Sequence, residues 1–189
     1  MCFPRRPRSH RPVVIMAMTS TLLTIGFAQK TAEQFFRLLQ EAGAQTLLDI
    51  RENRIGQLAG FAKFPDLAFF LDRLLGIKYD YEPLLAPSAE MRKAYKATRD
   101  WQQYEDSFLK LMAERKVLER VDPSRFEGTI ALLCSEPEPT QCHRRLVADL
   151  LANRLTSLGW QVDVKHLVLD RPVGRGRPKA KRTVGIDPL

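Results

Sequence analysis

Short apolar runs alternate with longer amphipathic stretches along most of the chain. Five runs are rich in aliphatic or β-branched residues and only five to seven residues long, which is typical of strands. We predict these strands over residues 21–25, 46–50, 77–81, 129–134 and 161–167.

The stretches between the strands carry helix signals. Thr31 can cap a helix that Gly43 ends, and Pro65 can open a helix that reaches residue 75, just before Gly76. Further helices are predicted over residues 88–96, 100–119 and 142–158. Several aromatic side chains recur at helical spacing and are predicted to belong to the core rather than to a base-stacking surface: Phe35, Phe36, Phe69, Phe70, Trp101 and Phe108.

This alternation of strands and helices predicts a three-layer α/β domain with a mostly parallel sheet and helices on both faces. Ligands of such sheets bind beyond the carboxyl ends of the strands. The loops after Ile25, Asp49, Tyr81 and Cys134 are therefore the places to look for a site.

Charge divides the chain into three parts. Residues 1–17 carry +4 and residues 171–189 carry +5, whereas residues 18–170 carry −1. We predict a disordered basic extension over 1–17, the α/β domain over 18–170 and a basic tail over 171–189. Translation from Met16 or Met18 is an alternative explanation of the first segment.

Composition narrows the class of protein. No apolar run approaches the roughly 20 residues that span a bilayer, so no membrane partner is expected. The three cysteines form no disulfide framework, which favours a reducing, cytoplasmic location. No glycine-rich phosphate loop or dinucleotide fingerprint occurs, and no cofactor is expected.

The loop after the fourth predicted strand, residues 134–145, contains the highest concentration of potentially catalytic or ligand-binding side chains. It leaves a buried strand at Cys134 and enters a helix at Cys142, His143 and Arg144. A helix N-terminus offers free N–H groups and favours negative charge, so Arg144 is a candidate for anion binding there. Cys142 beside His143 is a candidate nucleophile with a lowered pKa, and Glu136 is a candidate general acid or base.

Across the predicted sheet, Asp49 and Arg51 end the second strand and should face the same crevice. Asp49 is thus a further candidate catalytic residue, and Arg51 is expected to share an anion with Arg144.

Each of these residues also has a structural interpretation. Cys134 can be an inert buried thiol, Cys142 and His143 can simply start a helix, and Glu136 can cap that helix. Asp49 and Arg51 can pair with each other, which we favour slightly. The spacing of Cys134, Cys142 and His143 lacks the paired short steps of structural zinc sites, so no metal is predicted. A disulfide between Cys134 and Cys142 is geometrically feasible but is not expected in a reducing compartment.

Four motifs occur in a recognisable order. They are Thr24-Ile25-Gly26, Asp49-Ile50-Arg51, Gly76-Ile77-Lys78-Tyr79 with Pro83-Leu84, and Cys134-x-Glu136-x5-Cys142-His143-Arg144. Together they resemble the family of domain of unknown function 488 over roughly residues 21–167, and the last motif is the most specific. Phe27 stands where that family typically has a histidine, and Leu85 and Ala86 stand where it usually has a glycine pair.

The basic tail contains an Arg-Gly-Arg-Pro core that resembles an AT-hook. The candidate DNA-binding residues are Arg175, Gly176, Arg177, Pro178 and Lys179. Two arginines around a glycine can lie in a narrow minor groove. A plain solubilising tail explains the same composition.

Three functions therefore stay open. The leading hypothesis is a nucleic-acid- or nucleotide-associated protein with an anion-binding crevice and a DNA-contacting tail. The second is an enzyme that acts on a nucleotide or glycosidic substrate through Glu136 or Cys142. The third is a non-catalytic domain that binds a protein partner.

The tail hypothesis predicts that most of the affinity for DNA resides beyond Asp170. Full-length protein and a chain that ends at Asp170 should be titrated against A·T-rich and G·C-rich duplexes. We expect tighter binding by the full chain, a preference for A·T-rich DNA, and a log–log salt slope near −4 to −5 for about five phosphate contacts. Equal affinity of the two chains would contradict a role for the tail.

Overall fold

The computed structural model describes residues 18–56 and 59–169, and the elements alternate as the sequence predicts. The strands are β1 (Thr19–Gly26), β2 (Thr46–Asp49), β3 (Lys78–Tyr81), β4 (Gly128–Cys134) and β5 (Gln161–Leu167). The helices are α1 (Ala32–Glu41), α2 (Asp66–Phe70), α3 (Ala89–Thr98), α4 (Trp101–Glu114), α5 (Val117–Arg120) and α6 (His143–Ser157). No helix in the described part of the chain is long and apolar enough to span a membrane.

All five strands are parallel and lie in the order β3-β2-β4-β1-β5. Each connection must therefore cross a face of the sheet. The connections out of β1 and β2 run toward the β3 edge, and those out of β3 and β4 run toward the β5 edge. Since parallel crossovers are right-handed, the two sets of helices lie on opposite faces.

Two apolar clusters confirm this three-layer α/β arrangement. Alternate strand residues point to opposite faces, so Leu23 and Leu47 join one cluster while Leu22 and Leu48 join the other. The first cluster is covered by α1 and α2, with Phe35 at its centre. The second is covered by α4, α5 and α6.

The direction of the connections changes between β2 and β4. These strands are neighbours, and the chain leaves them toward opposite edges of the sheet. A crevice forms at such a switch point, beyond the carboxyl ends of the two strands. Asp49 pairs in register with Leu133, which places the segments after Asp49 and after Cys134 side by side.

Local signals explain where several elements begin and end. Thr31 caps α1 as predicted, and its side chain and that of Gln34 form a reciprocal capping box. Gly76 adopts a left-handed conformation with φ of 65°, which ends the helical segment before β3.

Three expectations are corrected. The single helix predicted over 100–119 is interrupted, because Lys116 takes a left-handed conformation with φ of 51° between α4 and α5. The helix predicted from residue 65 to 75 changes from α2 to a π-helical turn over Leu71–Leu75. Among the predicted core aromatics, Phe69 is 60% exposed, since it lies on the outer side of α2.

Candidate functional site

A pocket of about 490 Å³ occupies the crevice between the ends of β2 and β4. Its walls come from the segment after β2, from α3, from the start of α4 and from the loop after β4. Its lining includes Arg51, Glu52, Asn53, Gly56, Pro87, Arg92, Tyr95, Lys96, Arg99, Trp101, Tyr104, Ser135, Glu136, Gln141, Cys142 and His143. Several predicted site residues thus meet at one opening.

Cys142 is the N-cap of α6. Its backbone is extended, and its Sγ accepts a hydrogen bond from the Arg144 N–H at 3.4 Å. The sulfur therefore lies where unpaired N–H groups and the helix dipole favour negative charge. The residue is only 2% exposed, yet it lines the pocket.

His143 is oriented by the backbone of the neighbouring strand end. Its Nε2 lies 3.3 Å from the Ile50 carbonyl oxygen, which can only accept a hydrogen bond, so Nε2 carries the proton. Nδ1 consequently faces the Cys142 Sγ, 4.0 Å away. The ring is buried against Phe108, with the two ring centres 6.0 Å apart.

This arrangement changes the acidity of both groups. Burial opposes ionisation of Cys142, but hydrogen bonds with Cys134 and His143 outweigh it and lower the pKa of the thiol to about 6. Burial also disfavours the charged form of His143, yet the interactions with Cys142 raise the pKa of the imidazole. The two shifts favour a thiolate–imidazolium pair near neutral pH.

A second thiol lies directly behind the first. The Cys134 Sγ is 2.9 Å from the Cys142 Sγ, and both cysteines are free. Cys134 is fully buried at the end of β4, and burial, together with its contact with Cys142, raises the pKa of its thiol.

Arg144 packs its guanidinium against both sulfurs although the residue is fully buried. Its Nη1 lies 2.8 Å from the Cys134 Sγ and 3.5 Å from the Cys142 Sγ, and Nη2 donates to the Pro137 carbonyl at 3.2 Å. A buried cation requires negative charge nearby. Ionised Cys142 and the Glu136 carboxylate can supply that charge.

Glu136 bridges the buried centre and the solvent. Its Oε2 lies 3.2 Å from the Cys142 Sγ, and its carbonyl oxygen accepts a hydrogen bond from Arg144. Burial raises the pKa of the carboxyl, but the charge of His143 is the chief of several effects that reverse the shift and lower it. Glu136 is therefore ionised at neutral pH.

The ligand atoms of Cys134, Glu136 and Cys142 lie within 4.8 Å of one another, which is a spacing that can hold a metal ion. The Arg144 guanidinium, however, already contacts both sulfurs. A metal cation would have to share them with this fixed positive charge, so the electrostatics favour thiolate chemistry over metal binding.

Asp49 and Arg51 form a buried ion pair, the arrangement favoured from the sequence. Arg51 Nε and Nη2 donate to the two Asp49 carboxylate oxygens at 2.8 and 2.7 Å, and Nη1 donates to the Ala62 carbonyl at 3.0 Å. The Tyr79 hydroxyl adds a hydrogen bond of 2.8 Å to Asp49. A carboxylate with these partners is poorly placed for acid–base chemistry.

The shared anion site predicted for Arg51 and Arg144 gains no support from this geometry. Arg51 directs its guanidinium at Asp49 and Ala62, and Arg144 directs its own at sulfurs and carbonyls. The predicted DNA-binding residues 175–179 lie outside the described part of the chain.

Sequence reasoning missed the cationic wall of the pocket. Arg92 and Lys96 line it from α3 and Arg99 lines it from the end of that helix, and Arg92 pairs with Glu52 across the opening. Arg92 and Lys96 are four residues apart and share one face of α3, a signal that the sequence contains, whereas Arg99 ends the helix in a left-handed conformation with φ of 57°. Trp101, predicted to be core, packs against the second apolar cluster and also lines the pocket.

The comparisons with known proteins place the chain in a family. The family described as Domain of unknown function DUF488 matches residues 31–151, which is well over half of the chain. The chain belongs to the DUF488 family. The match spans β2, β4 and the first half of α6, so it includes the whole motif from Cys134 to Arg144. Comparisons with curated proteins and with solved structures returned no match.

Two departures from the usual DUF488 pattern, at three positions, lie near the site. Phe27 packs on the guanidinium of Arg51, whose Cζ is 5.4 Å from the ring centre. Leu85 and Ala86 are buried, and Arg115 donates to the Ala86 carbonyl at 2.6 Å. In this DUF488 protein both departures therefore contribute to packing around the crevice.

Gly26, at the end of β1, allows the loop after β4 to pass close to the backbone of β1. A Cβ at this position would lie 1.7 Å from the Glu136 carbonyl oxygen and 2.8 Å from the Arg144 Nη1. Because the nearer atom belongs to the backbone, it cannot move aside like a flexible side chain. The end of β1 must be a glycine so that the loop can pass over it.

Gly26→Ala should therefore destabilise the protein. We expect the free energy of unfolding to fall by about 1–3 kcal/mol, as for other overpacked sites. Gly60→Ala is the matched control, because a Cβ there meets nothing within 4 Å and should change stability by no more than about 0.5 kcal/mol. Denaturant unfolding of both variants measures the difference, and equal stabilities would contradict the close approach.

Proposed function

We propose that this DUF488 protein is a thiol-dependent enzyme that acts on a nucleotide or a similar phosphorylated ligand, with Cys142 as the nucleophile. One observation carries the proposal. The Cys142 Sγ lies at the base of a cation- and aromatic-lined pocket, capping a helix and facing the Nδ1 of His143.

The roles of the surrounding groups follow from their positions. His143 Nδ1 accepts the thiol proton, while its Nε2–H stays on the Ile50 carbonyl. The resulting thiolate attacks an electrophilic centre of the ligand, and the imidazolium can return the proton to the leaving group. Arg144 holds compensating positive charge behind the sulfur.

A glycosidic substrate fits this pocket less well. Glycoside hydrolysis ordinarily uses two carboxylates on either side of the scissile bond. Asp49 is committed to Arg51 and Tyr79, and Glu52 is paired with Arg92. Of these three carboxylates, Glu136 alone lies beside the nucleophile.

The lining of the pocket suggests the class of ligand. Neither Lys96 nor Arg99 forms an ion pair with another described residue, so both are available to a phosphate. The rings of Tyr95, Trp101 and Tyr104 line the same space, and aromatic rings stack readily on nucleobases. The volume of about 490 Å³ lies in the range of small-ligand sites.

Association with DNA through the tail is a separate proposal that rests on the Arg-Gly-Arg-Pro core at 175–178 alone. The net charge of −1 over residues 18–170 gives the domain no broad attraction for a polyanion. A nucleotide-sized ligand therefore suits the pocket better than a long nucleic acid does.

The nucleophile can be tested through the pH dependence of alkylation. In a Cys2→Ser background, the rate of iodoacetamide modification of Cys142 should rise with pH through a midpoint near 6, because the thiolate reacts and the pKa is about 6. Peptide mass spectrometry assigns the modified residue. His143→Gln should move the midpoint toward the ordinary value of about 8.5, since it removes the charge that stabilises the thiolate. A midpoint near 8.5 in the unsubstituted site would count against the proposal.

The ligand class can be tested independently by binding. Nucleoside mono-, di- and triphosphates and short oligonucleotides serve as probes in calorimetric titrations. Replacing both Lys96 and Arg99 by alanine should weaken binding by about tenfold or more, as two charge-assisted contacts are lost. Lys93→Ala is the control, because Lys93 lies on α3 outside the pocket lining. No binding by any probe would exclude a nucleotide ligand and leave the reactivity of Cys142 to be explained otherwise.

A further inference from the structure

Nucleophilic catalysis by Cys142 calls for a hydrogen-bond donor beside its sulfur, as Cys134 is, but not for a second reactive thiol. Cys142 already has a proton acceptor in His143 and a helix N-terminus around its sulfur. Cys134 nevertheless contacts it directly, with 2.9 Å between the two Sγ atoms. A buried alanine or serine would fill the end of β4 without bringing a second reactive sulfur there.

We propose that Cys134 and Cys142 are a redox-active dithiol, in which Cys142 attacks a small disulfide that enters the pocket and Cys134 resolves the mixed disulfide. The proposal rests on the nucleophilic role of Cys142 and assigns a distinct activity to the same site, the reduction of a disulfide.

The two thiols differ in the way that these two roles require. Cys142 lines the pocket, whereas Cys134 is fully buried behind it and can react only with an adduct already on Cys142. The pKa of Cys142 is lowered to about 6 while that of Cys134 is raised. The accessible thiol is therefore the ionised one at neutral pH, and the buried thiol stays protonated until it is needed.

Two neighbours can assist the buried thiol. The Nη1 of Arg144 lies 2.8 Å from the Cys134 Sγ and stabilises negative charge there as the thiol ionises. A carboxylate oxygen of Glu136 lies within 4.8 Å of both sulfurs and can accept the proton. The Arg144 guanidinium also disfavours a metal, because it already contacts the sulfurs that a cation would use.

The chemistry balances in two steps. The Cys142 thiolate attacks one sulfur of a disulfide RSSR, forms the mixed disulfide Cys142–S–SR and releases RS⁻, which takes up the proton held by the His143 imidazolium. Cys134 then loses its proton to Glu136 and attacks the Cys142 Sγ, so that the bond to SR breaks and a second RS⁻ leaves, which takes the proton from Glu136. The protein dithiol is oxidised to one disulfide, and RSSR is reduced to two RSH.

The fold accommodates the product with little movement. Cys134 ends β4 and Cys142 caps α6, so both are anchored by regular structure. The intervening loop is held by hydrogen bonds from Arg144 to the Glu136 and Pro137 carbonyls. Closing the bond requires adjustment of side chains within this loop rather than displacement of the sheet.

Full-length protein in a Cys2→Ser background should be incubated with oxidised glutathione and digested with trypsin without reductant. Both cysteines then lie in one peptide, residues 126–144. We expect this peptide to lose two hydrogens in mass while two glutathione molecules are released per chain. Cys134→Ser should stop at glutathione bound to Cys142, with one molecule released, and Cys142→Ser should not react.

The outcomes separate this inference from the proposed function. A stable glutathione adduct on Cys142 when Cys134 is present would overturn the dithiol role and leave the nucleophile intact. An unreactive Cys142 would overturn both. Stoichiometric zinc that blocks both thiols in the purified protein would replace the dithiol with a metal centre. Thermal unfolding of each variant checks that it is folded.

Discussion

The buried guanidinium of Arg144 is the charge around which the site is organised. It lies beneath the loop after β4, fully removed from water, and contacts two sulfurs and two carbonyl oxygens. Carbonyl dipoles satisfy its N–H groups only in part, and its Nε has no partner in the described structure. A full positive charge in this position stabilises ionised forms of the thiols and of Glu136.

A second buried arginine, across the crevice, shows the contrasting case. Arg51 is matched by Asp49 in a bidentate pair, and Tyr79 and the Ala62 carbonyl complete the arrangement. Both carboxylate oxygens of this counter-charge are engaged by hydrogen bonds. The counter-charge of Arg144 is weaker, because it comes partly from a thiol whose pKa lies near 6. The first pair stabilises the crevice, and the second leaves a group that can react.

Much of the fold could be predicted because its signals are local. Five apolar runs, the cap at Thr31 and the glycine at 76 lie within a few residues of the elements that they define. Lys116 carries no such signal, since nothing in its neighbourhood distinguishes the break between α4 and α5 from a continuous helix. Lys116 is exposed while the following Val117 is buried in the second apolar cluster, so tertiary packing rather than local preference accounts for the break.

The site was only partly predictable, because partners that lie far apart in sequence decide what each side chain does. The sequence places Arg51 at a strand end, but its pairing with Asp49 depends on Tyr79 from β3 and on the Ala62 carbonyl. The cationic side chains of α3 belong to the site because α3 packs as a wall of the crevice, which the helix's own sequence does not indicate. Cys134 and Cys142 belong to one sequence motif, but their contact of 2.9 Å depends on how the loop folds over Gly26.

Contacts with Arg144 and with Cys142 join the residues of the Cys-x-Glu-x5-Cys-His-Arg motif into one electrostatic network. Cys134 and the Glu136 carbonyl accept from the guanidinium, the Glu136 carboxylate approaches Cys142, and Cys142 caps the helix that carries Arg144. His143 connects the same helix to the end of β2 through the Ile50 carbonyl. Removing any one member leaves a buried charge or hydrogen-bonding group without its partner, which costs more than the contact itself contributes. A change at one member therefore affects the others, and the chemistry of the motif follows from the charge that the fold has buried at its centre.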